Sequence, residues 1–335
     1  MSGVRKSASA WEAMAVRALG NAGTTDTVAR SVARALIEAE RDGLPSHGLA
    51  RLQSYCAQVE SGKVRGDAEP VLTKLGDSAG RVDAADGFAF PAFDVAVDAL
   101  VGMTAHSPVA AVAVTNSHHF GVAGRHVERL AERGLIGLVF GNSPVAIAPW
   151  GGSRPLFGTN PIAFAAPRRG HPPLVIDLSL SKQARGKIML ASKQGKPIPE
   201  GWALDAEGNS TTDPDAALAG SMVPMGEAKG SALVLAVEIL SAALTGAHFG
   251  FEASSFFSAE GDPPRVGQFL MAFVPGPLSG DTFFDRVEVL LAAIEEQPGA
   301  RLPGGRRLQA RAEADTEGIE VPEDLAAWLE ERAGD

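Results

Sequence analysis

Between Val109 and Phe140 the chain alternates in a way that leaves few folds open. Val109–Thr115 and Leu135–Phe140 are short apolar runs with the composition of buried strands. Between them, Val122–Arg133 has helical spacing, with Val127 and Leu130 on one side and Arg125, Glu128 and Arg129 on the other. Strand, helix, strand predicts an α/β sheet, whose ligands gather beyond the carboxyl ends of the strands. The next segment, Gly141 to Pro161, is a long excursion rich in Gly and Pro. A loop of that length inside a compact domain points to function. No G-x-G-x-x-G follows any strand, so a dinucleotide held here is not held in the standard Rossmann manner.

The flanks extend this frame. Residues 10–20 have apolar positions at helical spacing, and Thr24-Thr25-Asp26 precedes a second helix, Val28 to Glu40. Its residues Val28, Val32, Ala35, Leu36 and Ala39 mark one buried face. Asp42-Gly43 ends it, and a third helix is predicted from Ala50 to Glu60. Ile162–Ala166, Leu174–Asp177 and Gln268–Val274 read as further strands. Lys229–Thr245 and Asp281–Glu296 read as helices, and Pro322–Arg332 as a last short one in a charged tail. The expected organisation is an N-terminal helical region (1–75), a central α/β region (76–300) and a C-terminal tail (301–335).

Bulk properties exclude several classes. Hydrophobic content of 45% and charged content of 21% suit an ordinary globular core. Lys+Arg 30 against Asp+Glu 40 give a formal charge of −10, which provides no global field for nucleic acid or an anionic membrane. Anions must therefore be met by local clusters. A single cysteine, Cys56, allows no intrachain disulfide and no zinc site built on several thiolates; it reads as a small buried side chain. The first ten residues carry no apolar h-region and no run approaches the ~18–20 apolar residues of a membrane span, so a soluble, cytoplasmic protein is expected.

Several short segments could carry chemistry. Ser46-His47-Gly48 joins an imidazole able to move a proton at physiological pH to a neighbouring hydroxyl, and Arg51 could grip a carboxylate with paired N–H donors. The same residues also fit a helix-initiating turn capped by Ser46. His118-His119 invites a metal reading, but no third ligand stands at useful spacing; a ring packed beside a cofactor at a strand end fits better. Gly121-Val122-Ala123-Gly124 opens a helix whose N–H groups could hold phosphate. Ser143 and Thr159 lie in Asn142-Ser143-Pro144 and Gly158-Thr159-Asn160-Pro161, which supply either a polar pocket lining or ordinary turns. Asp177 ends a strand where a ribose hydroxyl could be met, while Ser179 and Ser181 could cap the next helix. Lys229-Gly230 puts a cation at a helix start, unfavourable with respect to the dipole unless an anion binds there. Arg301 to Arg307 form a compact basic stretch that could receive a phosphate or face solvent.

Together these segments resemble the malate/L-lactate dehydrogenase family, the non-Rossmann group of NAD(P)-dependent 2-oxo acid reductases. The resemblance runs from about Asp42 to Arg307 and rests on SHGLAR, NSHHFGVAG, GNSP, FGTNPIAFAAP, the Asp177–Ser181 strand end with ARGK, GWALD, Lys229-Gly230 and RLPGGRR, in that order. It implies an α/β sulfolactate/malate dehydrogenase-like fold with a central mixed sheet, N-terminal helices and C-terminal helices. It also implies a homodimer that interconverts a small 2-oxo acid and its 2-hydroxy acid, with 1–75 as the substrate and dimer region, 76–300 as the NAD(P)-binding region and the tail 301–335 packing back near the cofactor. His47 then corresponds to the proton donor, with Ser46 beside it, and Arg51 and Thr159 to substrate contacts. His119 falls either on the acid/base or beside the cofactor. Phe120, Gly121, Ser143, Asp177, Leu178, Ser179, Lys229, Gly230, Gly304, Gly305 and Arg306 fall on cofactor contacts, with Arg306 and Arg307 leaning towards NADP. No metal is implied. Lys187 stands where the imine-reducing members can carry an acidic residue, and so favours a dianionic substrate of the sulfolactate or malate type. A Δ1-piperideine- or Δ1-pyrroline-2-carboxylate reductase, and a non-catalytic ligand-binding relative, are the alternatives.

Overall fold

In the computed structural model, which describes residues 3–334, the N-terminal helices form a layer of their own. Strand β1 (Gly3–Lys6) leads into α1 (Ala8–Ala22), α2 (Asp26–Arg41) and α3 (Leu52–Glu60). Ser7 caps α1 and Thr25 caps α2 by accepting backbone N–H groups, as hydroxyl caps do. The predicted face of α2 is buried at Val28, Val32 and Leu36 against Trp11, Leu19 and Leu52. Each such side chain is worth roughly 1.5–3 kcal/mol of burial. Cys56 lies 2% exposed in this layer, and burial pushes its thiol up to about 11.

The apolar runs build a seven-stranded mixed sheet. Its strands are β2 (Val71–Lys74), β3 (Ala79–Asp83), β4 (Val109–Ser117), β5 (Ile136–Gly141), β6 (Ile162–Ala166), β7 (Leu174–Leu178) and β11 (Val266–Phe273). Their order is β2-β3-β4-β11-β5-β6-β7, with only β3 and β4 parallel. Helices α4 (Ala89–Thr104) and α5 (Ala123–Ala131) cover one face. Helix α8 (Glu227–Glu238) and the wide π turn that extends it, Ile239–Ala243, lie on the other. Between β7 and α8 sits a small lobe: α6 (Arg185–Lys193), a sheet of β8 (Ala203–Leu204), β9 (Ser210–Thr211) and β10 (Ser221–Met222), and α7 (Pro214–Ala219). Its two-residue strands are too short to leave a periodic trace in sequence.

Register decides where the motifs go. Strands β4 and β5 both run antiparallel to β11, pairing Ser117 with Val266 and Gly141 with Gln268. Their carboxyl ends therefore share one sheet edge. Strand β6 starts at that edge, with Ile162 beside Phe140, and β7 ends there, with Leu178 beside Ile162. His119, Ser143, Thr159 and Asp177 are gathered by topology alone.

After β11 come α9 (Pro275–Ser279), α10 (Phe283–Glu295), α11 (Gly305–Glu317), β12 (Ile319–Pro322) and α12 (Glu323–Ala333). The charged tail thus contains a helix, α11, that its sequence did not announce. The tail also returns to the N-terminal layer. Strand β12 pairs with β1, and Trp11 Nε1 donates to Ile319 O at 3.0 Å. Arg311 on α11 clamps Asp42, just after α2, and Glu128 on α5 at 2.6 Å. The expected regions 1–75 and 301–335 reach Met1, Ser2 and Asp335, which lie outside the described residues. Among the described residues no helix is long and apolar enough to cross a membrane.

Candidate active site

The site begins where α2 ends. Pro45–His47 and Leu49–Arg51 form two tight 3-10 turns joined at Gly48. Glu40 Oε1 accepts the Leu49 N–H at 2.7 Å, and a Cβ on residue 48 would stand 2.3 Å from that oxygen. Only glycine lets the turn lie against the carboxylate. Ser46 does not cap a helix; its Oγ lies 3.1 Å from His47 Nδ1. Arg51 Nε donates to Ser46 O at 2.7 Å, and the Phe257 ring lies 4.4 Å from the guanidinium carbon. Arg51 Nη1 is buried and has no hydrogen-bond partner among the described residues. An unpaired buried donor costs on the order of 1–3 kcal/mol, which an arriving anion would recover.

The second histidine segment meets the first. His119 follows the carboxyl end of β4, and its ring stacks on His47 with centroids 5.6 Å apart. Tyr55 Oη lies 2.6 Å from His119 Nδ1, and His118 Nε2 lies 2.9 Å from Gln58 Oε1. The two neighbouring rings thus diverge to different partners. Among the described residues no group of three or more His, Cys, Asp or Glu is placed to hold a metal ion. Burial, then the Arg51 charge, lowers His47 to about 4. Burial, then Lys63 and Arg51, lowers His118 to about 3. Burial, then Arg51 and its two neighbouring histidines, holds His119 well below the ordinary range. Without an anion in the site, His47 is therefore the neutral imidazole at neutral pH.

Ser143 and Thr159 are brought together by a residue the sequence reading passed over. Ser143 Oγ accepts the Thr159 N–H at 3.1 Å. Beneath them Glu238, 3% exposed, accepts from Asn142 Nδ2 at 3.3 Å, Asn160 Nδ2 at 2.7 Å and Gly250 N at 2.7 Å. Burial raises the Glu238 pKa despite these three donors. One carboxylate thus pins both ends of the long excursion and the start of the 250–260 segment. That segment then runs to Phe256, which packs on His118 and His119, and to Phe257 on Arg51. Lys63, 2% exposed, holds its far end by donating to Ser255 O, Ser258 O and Glu260 O at 2.7–2.8 Å.

The remaining positions divide by contact. The Phe120 ring stacks on Phe93 in the core at 5.4 Å, so only its backbone can face a ligand. After the turn at Gly121, the Gly124 N–H at the start of α5 is given to Asp177 Oδ2 at 2.7 Å, not left for phosphate. Leu178 is exposed, and Ser179 Oγ meets Ser181 Oγ at 2.8 Å; neither serine caps α6, whose first turn has no side-chain cap. Lys229 is exposed. A Cβ on Gly230 would fall 1.4 Å from Met225 O, so that glycine is required by packing. Gly304 and Gly305 start α11 and bring it near Val175 of β7. Arg307 is spent on Glu128 at 3.1 Å, whereas Arg306 is exposed without an ion pair among the described residues. Lys187 on α6 is exposed, its ammonium 5.9 Å from the Trp202 ring centroid and not against Arg51.

These residues fit a dinucleotide. The carboxyl of Asp177 and the hydroxyls of Ser143 and Ser179 stand by the sheet edge as hydroxyl partners, and Lys229 and Arg306 are exposed cations without an ion pair among the described residues. Glu238, Tyr55 and Lys63 could have been singled out by their oddity: a carboxylate within the apolar run Ala232–Leu244, the only tyrosine, and a lysine just after a helix end.

The sequence pattern of the malate/L-lactate dehydrogenase family matches residues 7–330. The chain is 58% identical over 312 residues to the (2R)-3-sulfolactate dehydrogenase (NADP(+)) of Chromohalobacter salexigens, spanning 93% of each. Its fold is similar to that of delta1-piperideine-2-carboxylate reductase from Pseudomonas syringae, with a TM-score of 0.93 at 38% identity over 98% of this chain and 99% of that one. It is similar also to sulfolactate dehydrogenase from Methanocaldococcus jannaschii, with a TM-score of 0.90 at 28% identity over 98% and 96% of the two chains.

Proposed function

The chain belongs to the malate/L-lactate dehydrogenase family as an NAD(P)-dependent oxidoreductase, and from that premise we propose that it interconverts 3-sulfolactate and 3-sulfopyruvate with NADP. The observation that carries this reading is the unpaired, buried Nη1 of Arg51 beside the stacked His47 and His119 rings. A carboxylate on Arg51 places its neighbouring C2 oxygen within the reach of an imidazole. The likeness to the Chromohalobacter enzyme supports the sulfonate and the 2′-phosphate, for which Lys187 and Arg306 are the cations assigned.

Bound NADPH supplies the hydride to C2, or NADP removes it in the reverse direction. The chain's own work is binding and proton handling. Arg51 and Thr159 hold the 2-oxo acid, and Phe257 keeps the guanidinium plane fixed. The substrate carboxylate cancels the Arg51 charge that, after burial, keeps His47 neutral. Binding therefore raises the proton affinity of His47, and a proton taken up there is available to the reaction. In reduction that proton passes to the C2 oxygen as negative charge builds there; in oxidation neutral His47 takes the hydroxyl proton. One hydride and one proton are consumed per hydroxy acid formed.

His119, Phe120, Gly121, Ser143, Asp177, Leu178, Ser179, Lys229, Gly230, Gly304, Gly305 and Arg306 are assigned to the cofactor side. The protein is assigned as a cytoplasmic homodimer; the exposed apolar face of Leu235, Ile239 and Leu244 supports the second copy. The test is the rate of nicotinamide absorbance change with NADPH and NADH, each against sulfopyruvate, oxaloacetate, pyruvate and Δ1-piperideine-2-carboxylate. Sulfopyruvate with NADPH should give the highest kcat/KM. Preference for the cyclic imine would replace this reading by imine reduction.

A further inference from the structure

We propose that Tyr55 is a positioning residue that locks His119 as the neutral imidazole protonated on Nε2, making His119 a fixed hydrogen-bond donor and leaving proton transfer to His47. The idea rests on the oxidoreductase reading for its kinetic consequence only; the tautomer is a property of the free chain.

Tyr55 is fully buried, and its Oη lies 2.6 Å from His119 Nδ1. Of the rings around it, Phe88 at 5.1 Å and Phe90 at 6.4 Å offer the hydroxyl nothing to bond, and His118, edge-on at 5.6 Å, makes no hydrogen bond to it. Among the described residues Nδ1 is the one partner of that O–H. A buried hydroxyl takes an acceptor when one is in reach. Were the imidazole proton on Nδ1, the tyrosine O–H would point at no acceptor. Burial also raises the phenol, so Tyr55 keeps its proton and donates it. Nδ1 is therefore a bare lone pair, and a neutral ring must carry its hydrogen on Nε2.

The charged and titratable groups facing His119 all oppose a second proton. They are Arg51 and His47 from the turn after α2 and His118 from its own strand end, with no carboxylate among them. Phe256 closes another side with its ring 5.3 Å away. His47 is held differently. Its Nδ1 meets Ser46 Oγ at 3.1 Å, and a serine hydroxyl can turn to donate or to accept. His47 is thus free to gain and lose a proton, whereas His119 is not. Two stacked rings divide the work, and the partner on Nδ1 decides which does what.

The experiment is long-range 1H–15N correlation on the free protein labelled at histidine, between pH 5 and 8. A His119→Asn variant serves only to identify the signals. Wild type should show His119 with a bare Nδ1 and a protonated Nε2 throughout. Tyr55→Phe should show mixed tautomers and a titration moved to higher pH. Its kcat for 2-oxo acid reduction should fall about tenfold, the size of one lost hydrogen bond, with KM changed far less. A protonated Nδ1 in wild type overturns the assignment. Unchanged tautomer, kcat and pH profile in Tyr55→Phe overturns the role of Tyr55. If the wild-type signals are as expected and no 2-oxo acid is turned over, the tautomer stands and the oxidoreductase reading falls.

Discussion

Two buried polar clusters sit at the same sheet edge and differ in how completely they are bonded. Around Glu238 nearly every group is spent: three N–H donors meet one carboxylate, and Asn142 Oδ1 accepts Gly267 N at 3.0 Å. Asn160 Oδ1, without a partner among the described residues, is the exception. Around Arg51 the opposite holds: Arg51 Nη1 and His118 Nδ1 are buried without partners. Native structures rarely tolerate such orphans without a reason. The saturated cluster is scaffold, whereas in the open one the Arg51 Nη1 donor waits for an acceptor that the protein does not supply.

The sharpest way to break that contrast is to truncate the open cluster. Arg51→Ala should lower kcat/KM for the 2-oxo acid by ~10²–10⁴, since losing one partner of a desolvated charge pair costs about 3–5 kcal/mol. Its thermal midpoint should scarcely move, because the protein itself satisfies only Nε. Arg51→Lys should not rescue activity, as a point charge cannot replace a planar fork. Steady-state kinetics and calorimetry on the same samples decide it. A large loss of stability in Arg51→Ala would move this arginine into the scaffold.

The mirror experiment is on Glu238. Glu238→Ala strands three buried donors, for a loss on the order of 3–5 kcal/mol in urea unfolding. Activity should fall with the fold rather than ahead of it. An Ala variant as stable as wild type would show that Asn142, Asn160 and Gly250 find other partners.

What was legible beforehand follows the same division. The amphipathic face of α2 and the apolar runs of β4 and β5 are local, periodic signals, and the structure has them within a residue or two. The motif residues were visible because His, Arg, Ser and Thr carry chemistry wherever they lie. The β1–β12 pairing was hidden, since it joins two short, half-exposed segments from opposite ends of the chain. Helix α11 was hidden because it buries no side chain fully and is held by Arg307 and Arg311 on acids elsewhere in the sequence. Glu238 was hidden by its neighbours: a carboxylate among Val and Leu reads as a flaw in the stripe until its three donors converge from distant loops.

A smaller effect tests whether the open cluster is really short of negative charge. The native pKa of His118 is about 3, below its ordinary 6.5. Between those values the unfolded chain binds a proton that the folded one refuses, so stability is lost as pH falls from 6.5. The slope is about 1.4 kcal/mol per pH unit for a group fully in that window. The stability difference between wild type and His118→Gln should narrow by that amount per unit from pH 6 to 4. Parallel unfolding free energies across that range would place a counter-charge near His118 that the geometry does not contain.

The smallest effect concerns what distinguishes one anionic substrate from another. Lys187 is exposed and rests over Trp202 on the small lobe, so its contribution to the proposed sulfonate contact acts through solvent. A screened cation of this kind contributes about 1 kcal/mol, several-fold in KM, where a buried one would contribute far more. Lys187→Ala should therefore raise KM for sulfopyruvate several-fold and leave that for pyruvate, which has no second anion, nearly unchanged. Added salt should shrink the gap in wild type and do little in the variant. Equal changes for the two substrates would mean that Lys187 supports the lobe through its ring contact, and the sulfonate must then be met from the Arg51 side alone.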